Sequence, residues 1–447
     1  LTRIIEEAKG LLRAQNGTLY LVDRKTGELY FHVVDVEQLK EIRMPIDNKS
    51  IAGYVALTGN PLNINDVYSI PKKEPYKFNK SIDQKTGLRT RSMLTVPMLN
   101  HDGVVTGAVQ LINKIDEGRV VQFSERDERI LSALASQAAV AIENAHLYKE
   151  IADLFESLVH FSASAIDERD PATAGHSRRV AMYAVATARA LGRFNNDELR
   201  ELEYAAWLHD VGKIGVREHI LNKENKLYPQ ELEKIRERFE AAKLSYKSRC
   251  LEKINALVKK NAPVKKIEAV REDLDAHLEQ ICDDLSFIEE TNKPGFTPEE
   301  KKKRIDSIAR KQFTSSDGKK RRFLTGGEAR ALKVRLGNLT DSERKVMNAH
   351  VASTFNILKQ IPFSDRLKKV PEIASSHHER LDGSGYPHGL KGDSIPLQGK
   401  ILALVDVYDA LTAQDRPYKP AMPVNKALGI IEQEVKAGRL DKKVFKA

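Results

Sequence analysis

Several histidine and aspartate side chains of the C-terminal half lie within or directly beside apolar segments, where a solvated polar group would not be placed. These residues are His209, Asp210, His350, His377, His378 and Asp406. A single buried histidine is usually a hydrogen-bonded core residue, and a single buried aspartate usually caps a helix or pairs with a cation. A whole set of them is costly to bury unless a metal ion neutralises it. The pattern therefore predicts a metal site.

The cysteine count restricts the ligand chemistry of such a site. The chain has two cysteines, Cys250 and Cys282, which cannot form a disulfide framework or a thiolate cage. Any metal must therefore be held by imidazole and carboxylate groups. These ligands suit iron or manganese and do not exclude zinc. Such low cysteine usage suits a reducing cytosol, so we expect a cytoplasmic protein.

Helices must position these residues, because the second half of the chain has an almost entirely helical pattern. Glycine closes two of the helices, and a capping box from Thr340 to Glu343 opens a third. The predicted helices cover residues 176–191, 197–209, 340–358 and 401–411, and another begins near Pro371.

Most of the excess positive charge belongs to one segment, residues 222–338. The chain has 73 basic and 63 acidic residues, and this segment holds about 28 and 20 of them, or about +8 of the net charge of +10. Interleaved acidic residues and few aromatic ones favour a solvated helical surface over a nucleic-acid interface. We expect a helical hairpin, roughly 230–262 and 264–291, inserted into the helical domain with a structural or partner-binding role.

The first 123 residues have the pattern of an α+β domain with an antiparallel sheet. Apolar or alternating runs at 19–22, 93–98 and 104–113 predict strands, because turn sequences separate them.

One long helix is predicted to connect the two domains. Between Ser124 and Asp170 the chain has neither glycine nor proline, and its apolar residues keep helical spacing. An unburied apolar seam favours a partner helix, so we expect a parallel homodimer; packing onto the protein's own domains is the alternative. We identify no signal peptide and no membrane-spanning run in this chain, which begins at Leu1.

Two motifs carry a family resemblance. Residues 209–213 (His-Asp-Val-Gly-Lys) resemble the signature of the HD phosphohydrolases, and residues 377–387 resemble the HD-GYP subfamily. The similarity continues through 395–397, 406–412 and 416–419. It implies hydrolysis of cyclic di-GMP to pGpG, and in some members on to GMP, with two or three iron or manganese ions.

The resemblance also implies a ligand set. One metal would be held by His176, His209, Asp210 and Asp406. Asp210 would bridge to a second metal bound by His350 and His377, with His378 completing that site or serving a third ion. Members with three metals have a glutamate shortly before the first histidine, but residues 171–175 contain none and Glu168 lies two turns away. We therefore expect two metals and mainly pGpG.

Further roles are assigned from the same motifs. Candidate substrate contacts are Lys213, Tyr386, Arg416 and Lys419, and Asp210 and Lys213 are the candidate catalytic residues. Lys213 could instead be a charge at a helix terminus, Tyr386 part of a structural turn, and the other two part of an exposed loop. Glu379 and Asp382 would either orient the histidines or lie on the surface.

The N-terminal domain resembles a GAF sensory module. Its pattern of Asn113, Lys114, Phe123, Asp127 and Glu128 is similar to that of GAF domains that bind cyclic nucleotides. Lys114 and Asp127 could instead form an internal ion pair that holds the junction between strand and helix. The absence of cysteine from this domain argues against a covalently attached bilin. The identity of the small molecule that the domain would bind is not predicted.

The predicted organisation is a GAF domain over 1–123, a signalling helix over 124–160 and an HD-GYP domain over 161–447. The expected activity is cyclic di-GMP hydrolysis regulated by the GAF domain. Two alternatives stay open: a non-catalytic cyclic di-GMP receptor that recruits a partner, and a hydrolase of another cyclic dinucleotide or a phosphomonoester.

Overall fold

The computed structural model describes residues 2–32, 41–80, 83–84, 87–169, 175–315, 317–413 and 421–447. The chain divides into two compact units, Leu1–Phe155 and Glu156–Ala447. The first is built on an antiparallel sheet and the second is mostly helical, so the predicted α+β class is confirmed.

The first unit owes its sheet to alternating and continuous apolar runs. Its described strands are β1 (Ala14–Asp23), β2 (Glu28–His32), β3 (Glu41–Pro45), β4 (Leu62–Ile64), β5 (Met93–Leu99), β6 (Val105–Asp116) and β7 (Arg119–Val121). They are antiparallel in the order β3-β2-β1-β6-β5-β4, and β7 pairs with β6. Strand β5 reads as a continuous apolar run because it is buried on both faces.

Helices cover both faces of this sheet. These are α1 (Thr2–Leu12), α2 (Ile51–Thr58) and the beginning of α3 (Glu125–Arg169). Leu19 is buried with residues of α1 and α3 such as Leu12 and Leu131, whereas Tyr20 is buried with Val55 of α2. Neighbouring residues thus enter opposite layers, as the period of a strand requires.

Helix α3 spans 45 residues. Asp127 accepts a hydrogen bond from the backbone N–H of Ser124 at its start, and the lack of glycine and proline lets it continue. It ends at Arg169, beyond the predicted end at residue 160. Its last turns, with Val159, Ala163 and Ile166 buried, belong to the second unit.

The second unit has a helical body and an insertion. The described helices of the body are α4 (His176–Leu191), α5 (Asn196–Leu208), α6 (Glu218–Leu221), α11 (Asp341–Leu358), α12 (Val370–Ala374), α13 (Leu397–Thr412), α14 (Val424–Lys436) and α15 (Lys442–Lys446). The insertion contains α7 (Pro229–Lys259), α8 (Val264–Asn292), α9 (Glu299–Arg310), β8 (Gln312–Thr314), β9 (Lys320–Arg322) and α10 (Gly326–Leu332).

The predicted hairpin corresponds to α7 and α8, but the insertion is more than a hairpin. Ile235, Phe239 and Ile288 from its long helices form a hydrophobic cluster with Phe313 of β8 and with Phe323, which follows β9. The sequence prediction missed this core because its apolar residues are spread thinly among charges. Within the described ranges, no helix combines the length and apolarity needed to cross a membrane.

Candidate metal centre

Five elements of the second unit bring the predicted ligands together. His176 is the first residue of α4, His209 and Asp210 directly follow α5, and His350 lies within α11. His377 and His378 follow α12, and Asp406 lies within α13. Two groups have ligand atoms within 4.8 Å of one another: His176, His209 and Asp210, and His350, His377 and His378.

Close packing between two of these elements requires a glycine. A Cβ atom at Gly212 would lie 2.0 Å from the carbonyl oxygen of His350 and 2.5 Å from the backbone nitrogen of Thr354. Gly212 therefore allows the turn after Asp210 to approach α11, so that Asp210 and His350 face the same space.

Asp210 lies between the two histidine groups and faces each with a different oxygen. Its Oδ2 atom lies 3.5 Å from His209 Nε2 and 3.9 Å from His176 Nε2. Its Oδ1 atom lies 3.3 Å from His350 Nε2 and 4.0 Å from His377 Nε2. This arrangement is suited to a carboxylate that two cations share.

Asp406 faces the same space from α13. Its Oδ1 atom lies 3.2 Å from His176 Nε2 and 3.9 Å from His209 Nε2. Its Oδ2 atom lies 4.0 Å from His378 Nδ1.

Backbone carbonyls orient three of the imidazoles. The Nδ1 atoms of His209, His350 and His377 lie 2.7, 2.6 and 2.7 Å from the carbonyl oxygens three residues earlier in the chain. These bonds place the proton on Nδ1, because a carbonyl oxygen can only accept. The Nε2 lone pairs are therefore left facing the centre.

The residues present fit a bound metal. Among the described residues, the buried Nε2 atoms of His350 and His377 have no hydrogen-bond partner. A buried polar atom without a partner costs about 1–3 kcal/mol. Two such atoms beside the same carboxylate oxygen form a donor set that a cation would satisfy.

The electrostatics keep most of these histidines neutral, as ligands must be. Burial lowers the pKa of His209 and His377, and it lowers the pKa of His378 to about 4. Burial also acts to lower the pKa of His176, but Asp406 and Asp409 outweigh it and raise that pKa to about 10. Metal binding at His176 must therefore release a proton.

Family models match three stretches of the chain. A GAF domain model matches residues 1–142, an HD domain model matches residues 173–311, and a second HD domain model matches residues 327–444. The chain combines a GAF domain with an HD domain. The recognition made from the sequence motifs is thereby confirmed at this level.

Two curated relatives come from Vibrio cholerae. The 3'3'-cGAMP-specific phosphodiesterase 3 is 26% identical over 316 residues, which cover 70% of this chain and 41% of the relative. The 3'3'-cGAMP-specific phosphodiesterase 1 is 44% identical over 109 residues, which cover 24% of each chain. The chain thus spans less than half the length of these relatives. Among solved structures, the GAF domain from an Acinetobacter phosphoenolpyruvate-protein phosphotransferase is 18% identical, with a TM-score of 0.26 over 33% of this chain and 82% of that chain.

Asp409 supports the HD site but was missed in the sequence. It is buried one turn after Asp406, its Oδ2 atom lies 2.7 Å from His176 Nδ1, and its Oδ1 atom accepts a hydrogen bond from Arg179 Nε at 2.7 Å. Asp409 therefore fixes the ring of His176. Its spacing of three residues from Asp406, on the same helix face, is the signal that could have revealed it.

Thr354 is a second residue that was missed. Its hydroxyl donates to the carbonyl oxygen of His209 at 2.9 Å and accepts from the N–H of Gly212 at 3.0 Å. It thus ties the segment that carries His209 and Asp210 to α11. The signal is again spacing, because Thr354 lies one turn after His350.

The structure places two of the predicted substrate contacts at the site. Lys213 Nζ lies 2.9 Å from Asp210 Oδ2, in a 3-10 turn (Val211–Gly215) rather than a helix. The ring of Tyr386 lies 4.8 Å from that of His378, centroid to centroid. Arg416 and Lys419 lie outside the described residues.

The two acidic residues of the 377–387 motif do not orient the histidines in this structure. Glu379 is buried and accepts hydrogen bonds from the N–H groups of His388 and Leu390, both at 2.8 Å. Asp382 is exposed and accepts hydrogen bonds from Ser384. Both expectations for Glu379 are corrected: its carboxylate bonds no imidazole of the centre and is not exposed, but holds the backbone at His388 and Leu390, just after Tyr386.

In the GAF domain, Asn113, Lys114 and Asp127 of the motif bond protein partners. Lys114 donates to Asp127, as one of the two interpretations predicted. Asn113 adopts a φ of 54° and bonds Arg91, Gln15 and Arg89 through its side-chain amide. Phe123 is buried, and Glu128 lies in the first turn of α3.

Proposed function

We propose that this chain is a metal-dependent phosphodiesterase that hydrolyses cyclic di-GMP to pGpG. The observation that carries the proposal is the position of Asp210, with one oxygen beside His209 and the other beside His350. In-line attack on a phosphodiester needs an activated water and neutralised phosphoryl oxygens, and two cations that share a carboxylate supply both. The relatives named as cyclic dinucleotide phosphodiesterases support the reaction class.

Two cations are proposed, with iron or manganese preferred by the ligand chemistry. His176, His209, Asp210 and Asp406 would hold one of them. Asp210, His350, His377 and His378 would hold the other. We propose no third ion, because residues 171–175 lack a glutamate and Glu168 is exposed on α3.

Lys213 and Tyr386 are the proposed substrate contacts among the described residues. The ammonium group of Lys213 lies at the edge of the ligand set and can neutralise charge on a phosphoryl oxygen. Burial raises the pKa of Tyr386 above its ordinary value, so its hydroxyl stays protonated and can donate to the substrate. One alternative is a receptor without turnover, and the other is a hydrolase of another cyclic dinucleotide or a phosphomonoester.

The direct experiment combines metal analysis with product identification. Protein purified without oxygen and loaded with Fe(II) or Mn(II) is expected to hold two ions per chain and to release pGpG from cyclic di-GMP. GMP as the main product would contradict the two-metal proposal. Tight binding without turnover would favour the receptor alternative.

A second candidate substrate is 3'3'-cGAMP, which is favoured by the names of the two Vibrio cholerae relatives. The two dinucleotides differ in one base, so the ratio of their kcat/KM values at equal metal loading separates the candidates. We expect cyclic di-GMP to be turned over faster. A ratio that favours 3'3'-cGAMP would reassign the substrate without changing the reaction class.

The proposed regulation is that a small molecule bound by the GAF domain changes turnover in the HD domain. The unbroken helix α3 supports this proposal, because it runs from the GAF sheet into the second unit. Turnover measured with and without candidate cyclic nucleotides, together with limited proteolysis, tests it. Identical rates and cleavage patterns would argue against coupling.

We also propose a parallel homodimer through α3. Exposed apolar residues recur at alternating spacings of four and three, which is the seam of a two-stranded coiled coil. The seam consists of Leu147, Ile151, Leu154, Leu158 and Phe161. Asn144 precedes it at a core position, where a single asparagine typically fixes the register of a dimer.

The dimer is tested by the mass of the protein in solution. The double variant Leu154→Glu, Leu158→Glu is expected to be monomeric under conditions where the parent chain is a dimer. Lys149→Glu, at an exposed position off the seam, is the matched control and should stay dimeric. A monomeric parent chain would refute this proposal.

A further inference from the structure

The end of α3 contacts the helix that carries His176. Asp167, buried in the last turn, accepts a hydrogen bond from the hydroxyl of Ser177 at 2.9 Å and one from its N–H at 3.3 Å. Ser177 directly follows His176 in the first turn of α4. Asp167 therefore fixes the N-terminal turn of α4, where backbone N–H groups have no helical partner.

The same end of α3 contacts the turn that follows Asp210. Arg169 donates to the carbonyl oxygens of Lys213, Ile214 and Val216, the last at 2.8 Å. These carbonyls lie at the end of the 3-10 turn. The planar guanidinium group of arginine can donate to several carbonyl oxygens at once. The ammonium group of lysine lacks this fixed arrangement of N–H donors.

These two contacts involve two of the three segments that carry the proposed ligands of the first metal; the third is α13, which carries Asp406. One segment begins with His176 and the other runs from His209 through Lys213. About two to three turns earlier, α3 exposes Leu158 and Phe161. A shift or rotation of the helix end would therefore move both ligand segments together.

We propose that Asp167 and Arg169 are positioning residues that couple the end of α3 to the metal-ligand set. They act through Ser177 and through the backbone carbonyls that follow Asp210, not as metal ligands. The inference rests on the proposed function only in taking the histidines and aspartates as a metal site. It assigns a physical route by which changes in α3 reach the HD domain.

The test is the affinity of the full chain for Mn(II), measured by titration of the metal-free protein. Asp167→Asn and Arg169→Gln are expected to weaken the first site by about 10–100-fold, the range found when groups that orient metal ligands are removed. Arg169→Lys should recover part of the loss. Glu168→Gln and Arg178→Gln, both at exposed neighbouring positions, are the matched controls and should bind as the parent chain does.

Reciprocity supplies a second readout. If α3 and the metal site are coupled, Mn(II) must slow amide hydrogen exchange in residues 160–169, and Arg169→Gln must abolish that protection. A purely structural role would lower stability without this metal dependence. Should either main variant fail to fold, Ser177→Ala, which removes one hydroxyl, carries the test.

Unchanged Mn(II) affinity in folded Asp167 and Arg169 variants would overturn the inference, and so would an equal loss in the controls. Because the readout is metal binding, it does not depend on the identity of the substrate. A chain that binds Mn(II) as expected but leaves cyclic di-GMP intact would refute the proposed function alone.

Discussion

The GAF motif and the HD centre each contain buried polar residues, but these differ in how their hydrogen bonds are satisfied. In the GAF domain, Lys114 meets Asp127 and Asn113 uses its amide on three protein partners. In the HD domain, the Nε2 atoms of His350 and His377 have no hydrogen-bond partner among the described residues. Groups that satisfy one another hold a fold together, whereas groups left unsatisfied around shared space indicate a ligand.

The largest effect is expected at Asp210, which lies between the two groups of histidines. Replacing it by asparagine should lower turnover of the cyclic dinucleotide by at least about 1,000-fold, because one carboxylate serves both proposed cations. The measurement is the steady-state rate with Mn(II) in excess. Asp365→Asn, a fully exposed aspartate, should keep the parent rate. If the Asp210 variant turned over the substrate at the parent rate, the proposal that two cations share this carboxylate would be wrong.

His377 tests the claim that an unsatisfied group serves a ligand rather than the fold. His377→Leu should lower metal content from two ions to one. The free energy of unfolding of the metal-free protein should change by only about 1 kcal/mol, because the variant loses the Nδ1 hydrogen bond to the Ala374 carbonyl together with a buried Nε2 atom that has no partner. Metal analysis and urea unfolding check the two parts. A large loss of stability with normal metal content would show that His377 is a structural residue.

Glu343 offers a fully satisfied carboxylate in the HD domain. Burial acts to raise its pKa, but hydrogen bonds from Lys223 and Tyr228 outweigh it and lower that pKa from 4.5 to about 2. Its contribution to stability is therefore complete above about pH 5 and is lost as the pH falls through 2. The difference corresponds to about 3 kcal/mol, since one pKa unit is about 1.4 kcal/mol.

The check on Glu343 is the pH dependence of the free energy of unfolding between pH 6 and 3. Glu343→Gln should flatten that dependence, whereas Glu252→Gln, at an exposed position of α7, should leave it as it is. Parallel pH profiles for the parent chain and the Glu343 variant would contradict this assignment.

The variant with the smallest expected effect on the metal centre lies in the GAF motif. Lys114→Met should lower the free energy of unfolding of the first unit by about 2 kcal/mol, because Asp127 then loses its charged partner. Metal content and basal turnover should stay as they are. Arg119→Gln, at an exposed position of β7, is the control. A loss of nucleotide binding without loss of stability would instead make Lys114 a ligand contact.

The sequence predicted those parts of the molecule that depend on local spacing. The helix after Ser124 and the histidines beside apolar runs could be predicted, because burial and helical periodicity produce recognisable patterns in the sequence. Spacing also marked Asp409 and Thr354 as residues on the inner helix faces, but their partners and those of Glu379 could not be predicted, because the partner of a buried polar group is set by how distant elements pack. The small sheet of the insertion was missed for a related reason, since its core depends on a few apolar residues among many charges.

The central claim is that two cations share Asp210. The most direct measurement is anomalous diffraction at the iron or manganese edge from crystals of the loaded protein. The account predicts two peaks about 3.5–4 Å apart, one on each side of the Asp210 carboxylate. A single peak, or two peaks that do not both contact Asp210, would contradict it.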